Sequence, residues 1–203
     1  MTTDIKKIKI YVAILTQGYI RKELALSLIR WCKNSPFDIF LELTEEKPCA
    51  HARNNIVKKF LVSNNEWLLM IDDDVVPLQN PLTMIEFDKD ICIAPCPIYQ
   101  HKVLWNVYRT DVEGYWKSIN VSKEKGLIEI DAAGTGCILI KRKVLEVIKA
   151  PFERIFDEDG IETMGLDLSF CKKAKEKDFR IFASIKHKCS HYKTIDLAVR
   201  EKL

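Results

Sequence analysis

The stretch Trp67-Leu-Leu-Met-Ile-Asp72-Asp73-Asp74-Val-Val-Pro77 joins an apolar run to three consecutive carboxylates. The apolar run predicts a strand over residues 66–71 that is buried on both faces. Three adjacent carboxylates repel one another and are stabilised when a cation lies between them. Ligands collect at strand ends in open α/β sheets, so the pattern predicts Mg²⁺ or Mn²⁺ holding a diphosphate here. An acidic turn or a helix N-cap is the alternative interpretation.

The flanking sequence alternates short apolar runs with helical patterns, which is typical of an α/β fold. Predicted strands cover residues 8–15, 37–43, 66–71, 90–94, 136–140 and 179–183. Predicted helices cover residues 21–33, 50–62, 142–149 and 166–177, with a short helix after Pro81. The remaining long segments are 96–121, predicted as irregular or antiparallel β structure, and the acidic loop 151–160.

These elements predict a single domain over residues 1–203. Residues 1–95 would form a nucleotide-binding βαβ half and residues 96–203 an acceptor-binding half. We expect a mixed, mainly parallel, Rossmann-like sheet flanked by helices.

Composition excludes several classes of protein. Of the 203 residues, 47% are hydrophobic and 30% charged, which is neither a disordered nor a membrane composition. No apolar run approaches the ~20 residues that span a bilayer, and no signal peptide is visible. We therefore expect a cytoplasmic protein, in the host cytoplasm if the source is a virus. The net charge of +3 gives little support for nucleic-acid binding.

The seven cysteines include no C-x-x-C pair, which disfavours a zinc knuckle or a complete disulfide framework. Three of them lie among apolar residues and are predicted to be buried in the core: Cys92, Cys137 and Cys171. Few glutamines beside abundant Lys, Glu and Ile are a bias of hyperthermophile proteins.

The chain resembles the GT-A fold glycosyltransferases, and is most similar to glycosyltransferase family 2. The resemblance begins at the D-x-D pattern of Asp72-Asp73-Asp74 and extends over nearly the whole chain, because further segments follow the family's order. These are Thr16-Gln17-Gly18, His51-Ala-Arg53-Asn54-Asn55, Ala133-Gly134-Thr135-Gly136, Gly165-Leu166-Asp167-Leu-Ser-Phe170 and Cys189-Ser-His191.

The resemblance assigns a role to each donor-side residue. Asp74 would bind the metal, Asp72 would contact the ribose or the metal through water, and Asp73 would be a helper or a spectator. His191 would complete the coordination of Mn²⁺ or Mg²⁺. Two alternatives for His191 remain open: a zinc cluster with His187 and Cys189, and a lone surface histidine.

Asp167 would be the general base that accepts the proton of an attacking hydroxyl. The sequence departs from the family pattern at the preceding position, where Leu166 replaces a glutamate. A helix N-cap is the alternative role for Asp167. An acidic loop nearby offers substitutes for the base: Asp157, Glu158 and Asp159.

The remaining candidates would bind the nucleotide. Arg53 and Asn54 begin a helix at the ligand edge of the sheet, where a buried-face arginine needs an anionic partner. A salt bridge to the acidic cluster is the alternative for Arg53. The turn formed by Thr16, Gln17 and Gly18 is expected to offer free backbone N–H groups to a base or phosphate.

The predicted function is metal-dependent transfer of a sugar from a nucleoside-diphosphate sugar to a hydroxyl of a sugar, lipid or protein. The alternatives are a nucleotidyltransferase and a non-catalytic nucleotide- or sugar-binding module. The first of these usually opens with a Gly-rich phosphate loop, whereas residues 11–18 contain only Gly18. Sugar, base, acceptor and stereochemistry stay open at the level of sequence.

Overall fold

A computed structural model describes residues 7–47 and 49–193. The strands are β1 (Lys9–Leu15), β2 (Asp38–Thr44), β3 (Trp67–Asp72), β4 (Val75–Pro77), β5 (Ile91–Ile93), β6 (Pro97–Gln100), β7 (Lys102–Trp105), β8 (Val107–Thr110), β9 (Trp116–Ser118), β10 (Leu127–Ile130), β11 (Ala132–Ala133), β12 (Cys137–Lys141), β13 (Ile155–Phe156), β14 (Glu162–Met164), β15 (Ile181–Ser184) and β16 (Cys189–His191). The α-helices are α1 (Lys22–Lys33), α2 (Cys49–Val62), α3 (Arg142–Val147) and α4 (Leu166–Lys175). Short 3₁₀ helices cover Pro81–Phe87, Val121–Lys123 and Ile185–His187.

The predicted α/β architecture is confirmed. One seven-stranded sheet has the order β10-β15-β5-β12-β3-β1-β2. β1 is parallel to both β2 and β3, and β15 is parallel to β5. β12 runs antiparallel between β3 and β5, and β10 is antiparallel to β15. Five strands therefore share one direction, and their carboxyl ends form a common ligand edge.

β3 lies in the interior of this sheet, between β12 and β1, because its side chains are apolar on both faces. Leu68 and Met70 belong to the core that contains the buried side chains of α2, α3 and α4. Leu69 and Ile71 belong to the opposite core, which contains the buried leucines of α1. All four side chains are at most 1% exposed, so β3 is held from both sides up to its last residue.

Residues 96–121, predicted as irregular or antiparallel β structure, form strands β6 to β9 of small antiparallel sheets, whereas β10 was not predicted and joins the seven-stranded sheet. β6 pairs with β7, and β8 pairs with β9 and β11. The predicted loop 151–160 is partly wrong, because Ile155–Phe156 pairs with Glu162–Met164 in a short hairpin. Predicted ends of the other elements differ from the observed ones by a few residues, for example at α3, which ends at Val147 and not at residue 149.

The C-terminus of α2 is closed by a side chain distant in sequence. Arg142 donates hydrogen bonds to four backbone carbonyl oxygens, those of Phe60, Leu61, Ser63 and Asn65, at 2.7–3.2 Å. Its guanidinium also lies 4.7 Å from the centre of the Phe60 ring. The carbonyls of Phe60 and Leu61 lie in the last turn of α2, and those of Ser63 and Asn65 lie just beyond it. One arginine therefore adds to the bonds that Ser63 gives Phe60 and supplies what a C-cap residue usually supplies.

Candidate active site

The three carboxylates leave β3 in different directions. Asp72 is the last residue of β3, and Asp73 and Asp74 form the turn into β4. The acidic turn considered from the sequence is therefore present. Each carboxylate has its own set of partners.

Asp72 forms an ion pair with Arg53. The Arg53 side chain is 2% exposed, and its Nη2 lies 2.8 Å from Oδ1 and 3.0 Å from Oδ2 of Asp72. Arg53 Nη1 donates to the carbonyl oxygen of Thr135 at 3.3 Å. Burial raises the pKa of Asp72 to about 6 against the attraction of Arg53, and nearby carboxylates add to the rise. Arg53 is therefore paired with Asp72 at the ligand edge of the sheet, and this geometry favours the salt-bridge alternative.

Asp74 lies against His191 because β16 pairs antiparallel with β4, with His191 opposite Val75. Asp74 Oδ2 is 3.3 Å from His191 Nε2 and 2.8 Å from Lys193 Nζ. Burial would raise the pKa of Asp74, but hydrogen bonds from His191 and Lys193 lower it to about 2. The bond to Asp74 in turn raises the pKa of His191. His191 is thus not a lone surface histidine.

Asp73 organises the loop after β1. Its Oδ2 accepts a hydrogen bond from the Gln17 N–H at 2.8 Å, and its side chain is buried. The Gly18 N–H donates to Thr16 Oγ1, and the Thr16 N–H donates to the Thr44 carbonyl oxygen. The expectation of free N–H groups in this turn is therefore wrong, because all three are engaged within the protein.

Asp167 lies in the first turn of α4 and accepts a hydrogen bond from the Thr135 hydroxyl on its Oδ1. The N-cap position of α4 is Gly165, and no side-chain capping bond is formed there. The N-cap alternative for Asp167 is therefore wrong. Because Thr135 also accepts from Arg53 through its carbonyl oxygen, one residue connects Asp167 to the Arg53–Asp72 pair.

Two cavities meet at these side chains. The larger, of about 790 Å³, is lined on its polar side by Thr16, Gln17, Thr44, Glu46, Lys47, Asp72, Asp73, Asp74, His191 and Lys193. The smaller, of about 380 Å³, contains Asp167 together with Asn106, Tyr108 and Arg154. Asp72 and His191 line both. The proposed base thus lies across Asp72 from the carboxylate turn, in a neighbouring cavity.

Several sequence-predicted residues lie elsewhere. Asn54 brackets the Phe152 backbone, donating to its carbonyl oxygen at 2.6 Å and accepting from its N–H at 3.1 Å. Gly18 has a φ of +109° and lies outside the residues that line either cavity. The acidic substitutes for the base are exposed near the tip of the β13–β14 hairpin: Asp157, Glu158 and Asp159.

The zinc alternative does not correspond to the observed packing. His187 is 1% exposed and its two ring nitrogens contact Thr83 Oγ1 and Ser184 Oγ, each at 2.7 Å. Cys189 is buried in the core on the α1 side of the sheet. In residues 7–47 and 49–193, no group of three or more His, Cys, Asp or Glu side chains is arranged as metal ligands. The predicted set Asp72, Asp74 and His191 is therefore not gathered as a complete metal site.

Asp74 and His191 nevertheless fit a divalent cation. His191 Nδ1 lies 2.7 Å from the Pro97 carbonyl oxygen, so Nδ1 carries hydrogen and donates it. Nε2 is thereby directed at Asp74 and donates to it in this structure, so a cation bound between the two side chains would replace the Nε2 proton and take Nε2 as a ligand. Two protein ligands suit Mg²⁺ or Mn²⁺ when substrate phosphates supply the other oxygens.

Sequence reasoning missed three contributors to these cavities. Tyr108 is close enough to Asp167 that this carboxylate adds to the effect of burial in raising the pKa of the tyrosine. Asn106 donates to the Gly134 carbonyl oxygen, and a Cβ at Gly134 would lie 2.7 Å from Asn106 Nδ2. Gly134 is therefore required by its close contact with Asn106, which the sequence does not show. No motif in the sequence around Lys193 indicates that its side chain contacts Asp74.

Comparison with solved structures first defines the class of fold. At less than 25% identity these likenesses concern the fold alone, a mixed α/β sheet flanked by helices. No protein-family model matches the sequence, and no curated protein matches it.

Two solved structures are similar in fold to this chain at a TM-score above 0.5. "A197 from STIV" has a TM-score of 0.65 at 23% identity, covering 92% of this chain and 86% of that one. GalNAc-T7, solved with UDP, GalNAc and Mn²⁺, has a TM-score of 0.54 at 13% identity. The match covers 95% of this chain but only 45% of GalNAc-T7. A UDP-glucose pyrophosphorylase reaches a TM-score of 0.46 at 14% identity, with 91% and 74% covered, which is too low to support a shared fold.

Among the described residues, no helix is both long enough and apolar enough to cross a bilayer.

Proposed function

We propose that this chain is a GT-A-type glycosyltransferase that moves a sugar from a nucleoside-diphosphate sugar to a hydroxyl acceptor with Mn²⁺ or Mg²⁺. The observation that carries the proposal is the meeting of two cavities at Asp72 and His191. One contains the carboxylates suited to a metal-bound diphosphate, and the other contains a candidate base. The likeness in fold to GalNAc-T7 supports the same class of reaction.

On the donor side, Asp74 and His191 would hold the metal. The ion would neutralise charge on the departing diphosphate. Lys193, already in contact with Asp74, adds a positive charge on the same wall. Thr16 and Gln17 also line this cavity and form the wall where the nucleoside would lie. Asp73 acts indirectly, because it holds the Gln17 N–H and thereby the shape of that wall.

On the acceptor side, Asp167 would accept the proton of the attacking hydroxyl while that oxygen bonds to the anomeric carbon and the diphosphate leaves. The bond from Thr135 occupies Oδ1 of Asp167, so Oδ2 is the oxygen available to the acceptor. A sugar, lipid or protein hydroxyl fits this role. Tyr108 and Arg154 supply polar groups that could orient the acceptor.

The experiment is a thermal-shift and transfer assay with a panel of nucleoside diphosphates and their sugars. Because a ligand that binds only the folded state stabilises it, the diphosphate should raise the melting temperature only when Mn²⁺ or Mg²⁺ is present. Asp74→Asn should remove this metal-dependent stabilisation. Asp88→Asn is the matched control, since Asp88 is a surface carboxylate that is also paired with a lysine.

The alternative functions predict different results. A nucleotide-binding module would be stabilised by the diphosphate equally with and without metal. A nucleotidyltransferase would instead consume a nucleoside triphosphate and a sugar phosphate and release pyrophosphate. Either result would contradict glycosyl transfer.

A further inference from the structure

The outer edge of β2 is an open strand edge with apolar side chains. β2 ends the seven-stranded sheet, and within residues 7–47 and 49–193 its only partner strand is β1. Three of its side chains are large, apolar and exposed, namely Phe40 (53%), Leu41 (40%) and Leu43 (52%). Such an edge is a template for another strand unless charge, proline or a bulge protects it.

Hydrogen-bond parity identifies the unpaired backbone groups. The Asp38 N–H donates to the Ile8 carbonyl oxygen, and the Thr44 carbonyl oxygen accepts from the Thr16 N–H. Even-numbered residues of β2 therefore direct their backbone toward β1. Because alternate residues of a strand direct these groups to opposite sides, residues 39, 41 and 43 direct theirs outward.

The usual protection against edge pairing is weak here. Asp38–Thr44 contains no proline, lysine or arginine. Its one interior charge, Glu42, accepts a hydrogen bond from Tyr11 and pairs with Lys59 Nζ at 2.6 Å. Glu42 is thus turned toward the protein's own sheet and neutralised there. Apart from Asp38, an exposed carboxylate at the first residue of the strand, the edge presents apolar side chains to a partner strand.

We infer that β2 is a dimerisation edge that pairs antiparallel with β2 of a second copy of this chain, about a two-fold axis at Leu41. In this register residue 41 lies opposite itself and residue 39 opposite residue 43. All three are the outward-facing residues, so their N–H and C=O groups are exchanged in hydrogen-bonded pairs. A two-fold contact of this kind gives a closed dimer. Addition of β2 to the β10 edge of another copy would instead leave free edges at both ends, and the assembly would grow as a fibre.

Side chains match in the same register. Ile39, Leu41 and Leu43 lie on the α1 face, because they are in register with Ile10, Val12 and Ile14 of that core. Across the axis they would therefore form one apolar stripe. On the other face Phe40 would lie opposite Glu42, and at the ends Asp38 opposite Thr44, so like charges are never directly opposed.

Sedimentation equilibrium of the full chain tests the inference. The wild type should have twice its chain mass of 23.6 kDa. Leu41→Lys places two positive charges on the axis and should weaken the dimer at least about 100-fold, and Leu41→Glu should do the same. Mixing these two variants should restore a dimer, since opposite charges then meet. Val112→Lys, at a fully exposed site in the turn between β8 and β9, should remain dimeric.

The mixing step separates loss of pairing from loss of folding, because a misfolded variant would not recover. A monomeric wild type would overturn the inference, whether the edge is covered by another part of this chain or awaits a foreign strand. So would a dimer that persists in both Leu41 variants, which would place the interface elsewhere. Mass that keeps rising with concentration would indicate head-to-tail growth and would also overturn it.

Discussion

The proposed role of Asp167 as general base depends on its Oδ2, because Oδ1 accepts the hydrogen bond from Thr135. Asp167→Asn keeps the size of the side chain and can still accept the hydrogen bond from Thr135, but the amide cannot take up a proton. Transfer to the acceptor should fall by roughly 10²–10⁴-fold. Metal-dependent donor binding, measured by calorimetry, should be unchanged because Asp167 lines the other cavity. Turnover within a few-fold of wild type would remove Asp167 from the mechanism.

We expect Arg53 to contribute mainly to the stability of the fold and less to the binding of a nucleotide. Arg53→Met leaves the Asp72 carboxylate without its partner, which should lower the free energy of unfolding by about 3–5 kcal/mol. The double variant Arg53→Met/Asp72→Asn should recover part of this loss, since the uncompensated charge is gone. Urea unfolding measures both. Unchanged stability with weakened nucleotide binding would show that Arg53 contacts the nucleotide directly.

His187 should make stability depend on pH. Burial, helped by the charge of Lys186, lowers the pKa of His187 to about 4. An unfolded histidine has a pKa near 6.5, so between these values the unfolded chain binds more protons. Stability should therefore fall by about 2–3 kcal/mol as pH drops from about 6.5 to 4, with no contribution above pH 7.

Carboxylates also titrate in this range, so the comparison is with His187→Gln, which cannot titrate at this position. Unfolding measured at several pH values should show a shallower slope in the variant. Equal slopes would mean that folding does not lower the pKa of His187.

At the level of elements, Arg142 should be a strong determinant of stability. Arg142→Met keeps apolar contact with Phe60 but removes the arginine donor from four carbonyl groups, of which only that of Phe60 keeps other bonds, from Ser63. We expect a loss of about 2–4 kcal/mol in the free energy of unfolding. The control is Lys143→Met, which removes an exposed ion pair with Asp90 and should cost less than about 1 kcal/mol. Similar losses in the two variants would contradict the capping role of Arg142.

Elements with strong local patterns were predictable from the sequence. β3 and its carboxylates are contiguous, so the apolar run and the charge that follows it are visible together. α2 was recognised from its apolar spacing, and so was the position of Arg53 near its start. The partner chosen by Arg53 was not predictable, because it depends on how α2 lies against β3.

Side-chain contacts across the sheet account for most of what sequence reasoning missed. Asp73 engages the Gln17 N–H, a contact between residues 56 positions apart. Lys193 reaches Asp74 across 119 positions. Neither has a periodic signature, because each depends on strand order. The antiparallel direction of β12 also leaves no pattern in the sequence, since side chains alternate with the same period in parallel and antiparallel strands.

At the scale of the whole molecule, the two halves predicted from the sequence share one sheet. β12, from the second half, lies between β3 and β5, both from the first. Gly134–Gly136 therefore enters the sheet at the edge where β3 ends, and the Gly136 carbonyl oxygen accepts a hydrogen bond from the Asp72 N–H at 2.9 Å. This insertion is what brings Thr135 and Asp167 beside Arg53 and Asp72.

The insertion also bears on how such a protein can change over evolutionary time. A chain whose halves were separate modules could exchange one of them by recombination and so gain a new acceptor. Here a crossover near residue 95 would remove the strand that joins β3 to β5 and expose both as bare edges. New specificity would therefore have to arise by point changes and by altered loop lengths, chiefly in the segments before β12 and before α4. The scaffold itself would be inherited whole.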